Sequence, residues 1–185
     1  LAQEGSKIRA MTMYNSFNDW GWLEKLEKKV LNKIEVYPGD MRDSKSVNNA
    51  CRDIDVVFHL ASLIAIPQSY NSPYAYLETN ATGALNLFES CLNSNVSKII
   101  HTSTSEVYGE YDIVPISEDN KNIARSPYSA TKIAADQLAY SYFSTFDLPI
   151  SIIRPFNTYG PRQSNRAIIP TIITQILNNK HIELG

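Results

Sequence analysis

Glycine is scarce in this chain. Only 7 of its 185 residues are Gly, and none are spaced as G-x-G-x-x-G, the turn that lets a backbone approach a dinucleotide pyrophosphate. Cysteine is scarcer still. Cys51 and Cys91 lie far apart without a C-x-x-C, so neither a zinc site nor a disulfide framework is indicated, and both read as small buried residues in a reducing compartment. No apolar run approaches the roughly 18 residues of a membrane span, and the first residues have neither the charged start nor the apolar stretch of a signal peptide. Neither sign of charge dominates: 17 Lys and Arg stand against 19 Asp and Glu, for a net charge of −2. A strongly basic nucleic-acid-binding chain is thereby excluded. With 43% hydrophobic residues, so are disordered and collagen-like chains. At roughly 150 residues per domain, the length fits one domain, and the expectation is a cytoplasmic α/β protein.

Apolar runs and helical patterns alternate throughout. The strand-like segments are Lys7 to Tyr14, Lys33 to Tyr37, Ile54 to Ala61, Val96 to Ser103 and Pro149 to Pro155. The third and fourth are nearly all apolar over short lengths, as strands covered on both faces tend to be. Between the strands, apolar residues recur at helical spacing: Leu23, Leu26, Val30; then Leu77, Ala81, Ala84, Leu85, Phe88; then Ile133, Ala134, Leu138, Tyr142; and last Ile169, Ile172, Ile173, Ile176. Strands alternating with helices predict βαβ units and a Rossmann-like, doubly wound parallel sheet.

The ends read differently from a complete sheet of this kind. Leu1 to Ser6 resembles the tail of a helix stopped by Gly5, and His181 to Gly185 resembles a strand at its start. The expectation is an internal fragment of a longer chain, lacking the first strand with its Gly-rich turn. In the strand order 3-2-1-4-5-6, loss of strand 1 leaves the first two strands here as one piece of sheet and the later three as another.

Tyr128 and Lys132 stand at Y-x-x-x-K spacing behind Ser126, a good N-cap, and Pro127, a good first helical residue. The i, i+4 spacing puts phenol and ammonium on one helix face, where the ammonium is expected to lower the phenol's pKa and make it a base. A chain with 11 Tyr produces such pairs by chance, and a surface Tyr beside a solvated Lys is the other reading of the pair alone. A second stretch, His101-Thr-Ser-Thr-Ser-Glu106, follows a strand with four hydroxyls and a carboxylate. Loops at the carboxyl ends of parallel strands are where such sheets bind ligands; an ordinary Ser/Thr-rich turn is the alternative. His59 and His101 fall inside strand patterns and read as core histidines. No His/Asp/Glu cluster has metal-ligand spacing.

Taken in order, Pro38-Gly-Asp-Met-Arg-Asp43, Val57-Phe-His-Leu-Ala61, Asn80-Ala-Thr-Gly83, Thr102-Ser-Thr-Ser-Glu-Val-Tyr-Gly109, Tyr128-Ser-Ala-Thr-Lys132 and Arg154-Pro-Phe-Asn-Thr-Tyr-Gly-Pro161 resemble the extended short-chain dehydrogenase/reductase family, whose members act on nucleotide-activated sugars. Thr104-Ser105-Glu106 is similar to the triplet of its 4,6-dehydratases. Tyr14-Asn-Ser-Phe-Asn-Asp-Trp-Gly-Trp22, Ala61-Ser-Leu-Ile-Ala-Ile-Pro67 and Ile169-Pro-Thr-Ile-Ile-Thr-Gln175 resemble a bacterial branch, the nucleotide-activated N-acetylglucosamine 4,6-dehydratases of legionaminic-acid synthesis.

The resemblance implies a catalytic set of Thr104, Ser105, Glu106, Tyr128 and Lys132. It implies that Asp40 and Met41 hold the adenine, that Leu60, Ala61 and Ser62 line the ribose and pyrophosphate, and that Asn80, Thr102, Ser103 and Pro155 help seat the cofactor beside Tyr128 and Lys132. Thr104, Asn157, Ile169 and Pro170 would face the substrate. It further implies NAD as cofactor, a nucleotide-sugar substrate, a homodimeric full-length protein, and neither nucleic-acid nor membrane partners. On the same resemblance residues 1–185 would be a partial NAD-binding domain, with 156–185 leading into the substrate-binding region, lacking most of a C-terminal substrate domain and inactive alone. Two departures stand out. Tyr14-Asn15 replaces the acid that normally bonds the ribose 2′-hydroxyl of NAD, and no Arg or Lys follows until Lys25 to favour NADP, which stays open. Ser105 replaces the Asp usual in dTDP-glucose dehydratases, leaving Glu106 as both base and acid. The rival readings are a UDP-glucuronate decarboxylase, an NDP-sugar 4-epimerase and, outside catalysis, a dinucleotide-binding regulator.

Overall fold

Parallel strands form where apolar, β-branched runs predict them: β1 (Ile8–Met13), β2 (Ile34–Gly39), β3 (Val56–His59), β4 (Lys98–Thr102) and β5 (Ile150–Ile153). The structure, a computed structural model, describes residues 1–110, 114–179 and 181–183. Among these, the strands make two sheets. β1 pairs with β2, with Ile8 opposite Ile34, and β3, β4 and β5 pair in that order, with His59 opposite His101 and His101 opposite Ile152. This is the division expected from the strand order. Residues 181–183 are not in a strand, and the remainder of that expected segment, 184–185, lies outside the described residues. The expected N-terminal stop is a single turn, Glu4 N–H to Leu1 O at 3.0 Å, with Gly5 at φ +92°.

Among the described residues, seven α-helices connect and cover the strands: α1 (Lys28–Leu31), α2 (Ser44–Ala50), α3 (Ile66–Asn71), α4 (Pro73–Tyr76), α5 (Gly83–Asn93), α6 (Pro127–Phe146) and α7 (Ile168–Leu177). None is long and apolar enough, among the described residues, to cross a membrane. The longest, α6, has both ends written in its sequence. Ser126 and Ser129 cap its start reciprocally, Pro127 opens it, and Asp147 closes it in the left-handed region at φ 54°. The stripe Leu23, Leu26, Val30 does not make one helix. A 3-10 turn over Gly21–Lys25 ends at Leu26, which is extended at ψ 152°, and α1 starts afresh after Glu27. All three apolar residues still turn partly inward, so burial is met without a continuous helix.

The core lies on one side of the three-stranded sheet. Ile99 of β4 packs with Ala84, Leu87, Phe88 and Cys91 of α5, Ala135, Ala139 and Tyr142 of α6, and Val47 of α2, and Met11 of β1 joins them. Cys51 and Cys91 are free and buried here. The opposite side departs from expectation. Val56, Phe58 and Ile153 are 45%, 51% and 46% exposed, because among the described residues the helices cover only the other face.

Candidate active site

The site is built on the carboxyl end of β4. Thr104, extended at φ −160°, accepts from Glu106 N–H at 3.2 Å and so starts a 3-10 turn over Ser105–Tyr108. Gly109 ends the turn at φ +67°, and a Cβ there would stand 2.5 Å from the carbonyl oxygen of Ile123. Only glycine fits this exit, which lets Ile123 N–H reach Val107 O at 2.8 Å. The turn holds Glu106 half-buried and facing Tyr128, with which it interacts electrostatically.

Tyr128 is the second residue of α6 and is buried. Its hydroxyl hydrogen-bonds the Thr104 hydroxyl, and its ring lies edge-on to Tyr76, with centroids 6.3 Å apart. Tyr76 is itself pinned by donating to Ala65 O at 2.6 Å. Burial pushes the Tyr128 phenol up, the Thr104 bond pulls it down, and Glu106 pushes it up again. Lys132, one turn on, donates its Nζ to Thr102 O at 2.7 Å, and burial brings it down to about 8 against the opposing pull of Asp136. The ammonium was expected to acidify the phenol. Instead it is directed at a β4 carbonyl, and desolvation dominates both groups.

The expected cofactor residues fall into two kinds. Asp40 stands at the exit of β2, its carboxylate accepting from Arg42 Nε at 3.0 Å and Nη2 at 2.6 Å, and the Arg42 bond holds it below its usual value. Met41 O accepts from Asn86 at 2.9 Å, and Gly83 abuts the Met41 side chain, where a Cβ would come to 3.0 Å. Leu60 and Ala61 are exposed beyond β3, with Ser62 half-buried. Asn80 is buried within a π-helical turn, Leu77–Thr82, that joins α4 to α5. Its Oδ1 accepts from Ser62 Oγ at 3.0 Å and Leu63 N–H at 2.8 Å, and its Nδ2 donates to Leu63 O at 3.0 Å and Thr131 Oγ1 at 3.1 Å. All four hydrogen-bonding positions of the amide are used, so Asn80 shapes the 60–63 shelf. Ser103 is buried and donates to Asp136 at 2.9 Å. Thr102 Oγ1 is buried and unpartnered at the same strand end. Pro155 O accepts from Ser105 N–H at 3.1 Å, tying β5 to the turn. Asn157 is exposed after β5, and Ile169 and Pro170 start α7, which has no buried residue.

His59 and His101 are core residues, as their strand positions suggested. They pack on Phe88, ring centroids 6.3 and 5.6 Å away. Asp136, Tyr76, Tyr108 and Thr131 were not singled out from the sequence. Asp136 had left a signal, an acid one helical turn after Lys132 in an otherwise apolar stripe.

The family model for GDP-mannose 4,6 dehydratase matches residues 1–185. A dTDP-D-glucose 4,6-dehydratase of Dictyostelium discoideum is 37% identical over 165 residues, covering 82% of this chain and 38% of the relative. A UDP-N-acetylglucosamine 4-epimerase of Methanobrevibacter ruminantium, solved in complex with UDP-N-acetylmuramic acid, superposes with a TM-score of 0.85 at 32% identity, covering 94% of this chain and 56% of that one. A double mutant of the dTDP-glucose 4,6-dehydratase of Streptomyces venezuelae, solved with NAD bound, gives 0.77 at 28% identity, covering 83% and 49%. The chain spans less than half the length of the Dictyostelium relative and about half that of the Streptomyces one.

Proposed function

From the premise that this chain belongs to the GDP-mannose 4,6-dehydratase family of extended short-chain dehydrogenases/reductases, we propose that the full-length protein is a nucleotide-sugar 4,6-dehydratase. NAD fits the residues present. A shelf exposed at Leu60 and Ala61 and half-buried at Ser62, the unpartnered Thr102 Oγ1 and the buried Lys132 lie at the carboxyl ends of β3 and β4, where ligands of such sheets bind. When bound, NAD supplies the acceptor and donor of the hydride.

The observation that carries the reading is the convergence of Thr104, Glu106 and Tyr128. Tyr128 takes the proton of the sugar C4 hydroxyl, with the Thr104 hydroxyl sharing its hydrogen bond. Glu106 removes the C5 proton, made acidic by the C4 ketone, and returns a proton to the departing C6 oxygen. Ser105, half-buried in the same turn, hydrogen-bonds that oxygen, since a hydroxyl is too weak an acid to protonate it.

The sugar we assign is UDP- or GDP-N-acetylglucosamine, resting on the resemblance of residues 14–22, 61–67 and 169–175 to the legionaminic-acid branch. Residues 1–185 form the cofactor-binding domain, with 156–185 leading toward the sugar, in a cytoplasmic homodimer. Mass spectrometry of the full-length protein with these substrates, without added NADH, tests the reading: the product should be lighter by one water. An isobaric product would establish instead a 4-epimerase, the second reading, which the fold match to the Methanobrevibacter enzyme favours. Loss of carbon dioxide from UDP-glucuronate would establish a decarboxylase.

A further inference from the structure

One buried acid has no part in that scheme. Asp136 is 1% exposed, one turn after Lys132 on α6. Its Oδ2 accepts from Ser103 Oγ at 2.9 Å and from Arg154 Nε at 3.0 Å. Its Oδ1 lies 3.5 Å from His101 Nε2 and has no closer partner. Ser103 immediately precedes Thr104. Arg154, at the end of β5, donates Nη1 to the Tyr108 hydroxyl at 3.0 Å and lies 5.2 Å over that ring. Tyr108 closes the turn that holds Glu106. A single carboxylate therefore joins the helix of Tyr128 and Lys132, the turn of Thr104 and Glu106, and the strand leading to Asn157.

We propose that Asp136 is a positioning residue of this active site: through Ser103 and Arg154 it fixes the Thr104–Glu106 turn against α6, and its negative charge stands against the buried Lys132 ammonium. The inference rests on the dehydratase reading only for which reaction is positioned. Burying an acid costs several kcal/mol unless it is paired and hydrogen-bonded, and here both compensations come from residues flanking the catalytic set. The titratable groups that interact with Lys132 are Asp136 from its own helix, His59 from β3 and His101 from β4; Tyr128 lies one turn before it, Glu106 interacts with Tyr128, and Arg154 pairs with Asp136. Burial keeps both imidazoles neutral. Asp136 is the group whose charge favours the ammonium.

Asp136→Asn keeps an oxygen able to accept from Ser103 and Arg154, removes the charge, and turns an amide nitrogen toward His101. In the full-length protein, the Lys132 ammonium is followed by NMR of labelled lysine side chains, assigned through its loss in Lys132→Met. The midpoint near 8 should fall by about one pH unit in Asp136→Asn, the alkaline limb of kcat should fall with it, and Asp136→Glu should restore both. Ser103→Ala and Arg154→Lys keep the acid but each loosens one tie. Both should slow kcat about tenfold, with KM within about threefold, a loss of the size expected from misplacing a general base. An unchanged Lys132 midpoint in Asp136→Asn, or undiminished kcat in both tie variants, overturns the proposal. The tie variants decide alone if Asp136→Asn does not fold. A wild-type protein inactive on nucleotide sugars would refute the dehydratase reading, while the Lys132 midpoint would still report on Asp136.

Discussion

The imidazoles of His59 and His101 meet Nδ1 to Nδ1 at 2.8 Å across neighbouring strands. One nitrogen donates and the other accepts, so the two rings carry opposite tautomers and cannot both be protonated. His101 Nε2 faces Asp136 Oδ1 at 3.5 Å, which places the His101 proton on Nε2. His101 Nδ1 is then bare and accepts from His59 Nδ1–H. The pair is held neutral mainly by burial, which lowers both pKa values, that of His59 well below 6.5.

Acid should therefore destabilise the protein through these rings. Above pH 6.5 the folded and unfolded states bind the same number of protons here. Below it the unfolded imidazoles take up protons that the folded ones refuse, so stability is lost as pH falls. Each ring kept neutral costs about 1 kcal/mol between pH 6.5 and about 5.5. Urea unfolding of the full-length protein at both pH values should show this loss, reduced by about half in His59→Gln. An unchanged pH dependence in that variant would mean that His59 is not the group titrating.

Tyr128→Phe and Glu106→Gln should separate the two proton transfers. Without the phenol, the C4 hydroxyl has no base, and turnover should fall by about 10²–10⁴-fold. Glu106→Gln keeps the backbone bond to Thr104, so C4 oxidation should proceed while elimination stops. Single-turnover mixing of that variant should show a rise in reduced-nicotinamide absorbance without dehydrated product. Wild-type turnover by Glu106→Gln would remove this residue from the mechanism.

Asn80→Ala should cost more than one hydrogen bond. Leu63 N–H, Leu63 O, Ser62 Oγ and Thr131 Oγ1 each lose a partner, and stranded buried groups cost about 1–3 kcal/mol apiece. A loss of roughly 2–4 kcal/mol by urea unfolding is expected, together with weaker NAD binding by calorimetry as the 60–63 shelf loosens. NAD affinity equal to wild type at a temperature where the variant stays folded would detach Asn80 from the cofactor shelf.

The 185-residue chain expressed alone should self-associate. Val56, Phe58 and Ile153 on the open sheet face and Ile173, Ile176 and Leu177 on α7 are exposed, and exposed apolar faces of this kind are sticky. Light scattering should rise with concentration and fall in Phe58→Asp, which charges the β3 side of the open face. Monodisperse behaviour of the unaltered chain at high concentration would contradict this.

Strand positions and the start of α6 were legible because local physics sets them: β-branched apolar runs and a Ser/Pro start. The six ordered motifs carried the family, and the Tyr128–Lys132 spacing put both side chains on one helix face. Local spacing could not reveal what that face meets. Lys132 turns to the Thr102 carbonyl, and Tyr128 is governed by burial and by Thr104 and Glu106, contacts that exist only once β4 and α6 pack together. The roles of Asp136, Asn80 and the two histidines likewise depend on partners distant in sequence. The protons of Lys132, Tyr128 and the two histidines are decided mainly by desolvation, a property of the folded interior that no local stretch of residues encodes.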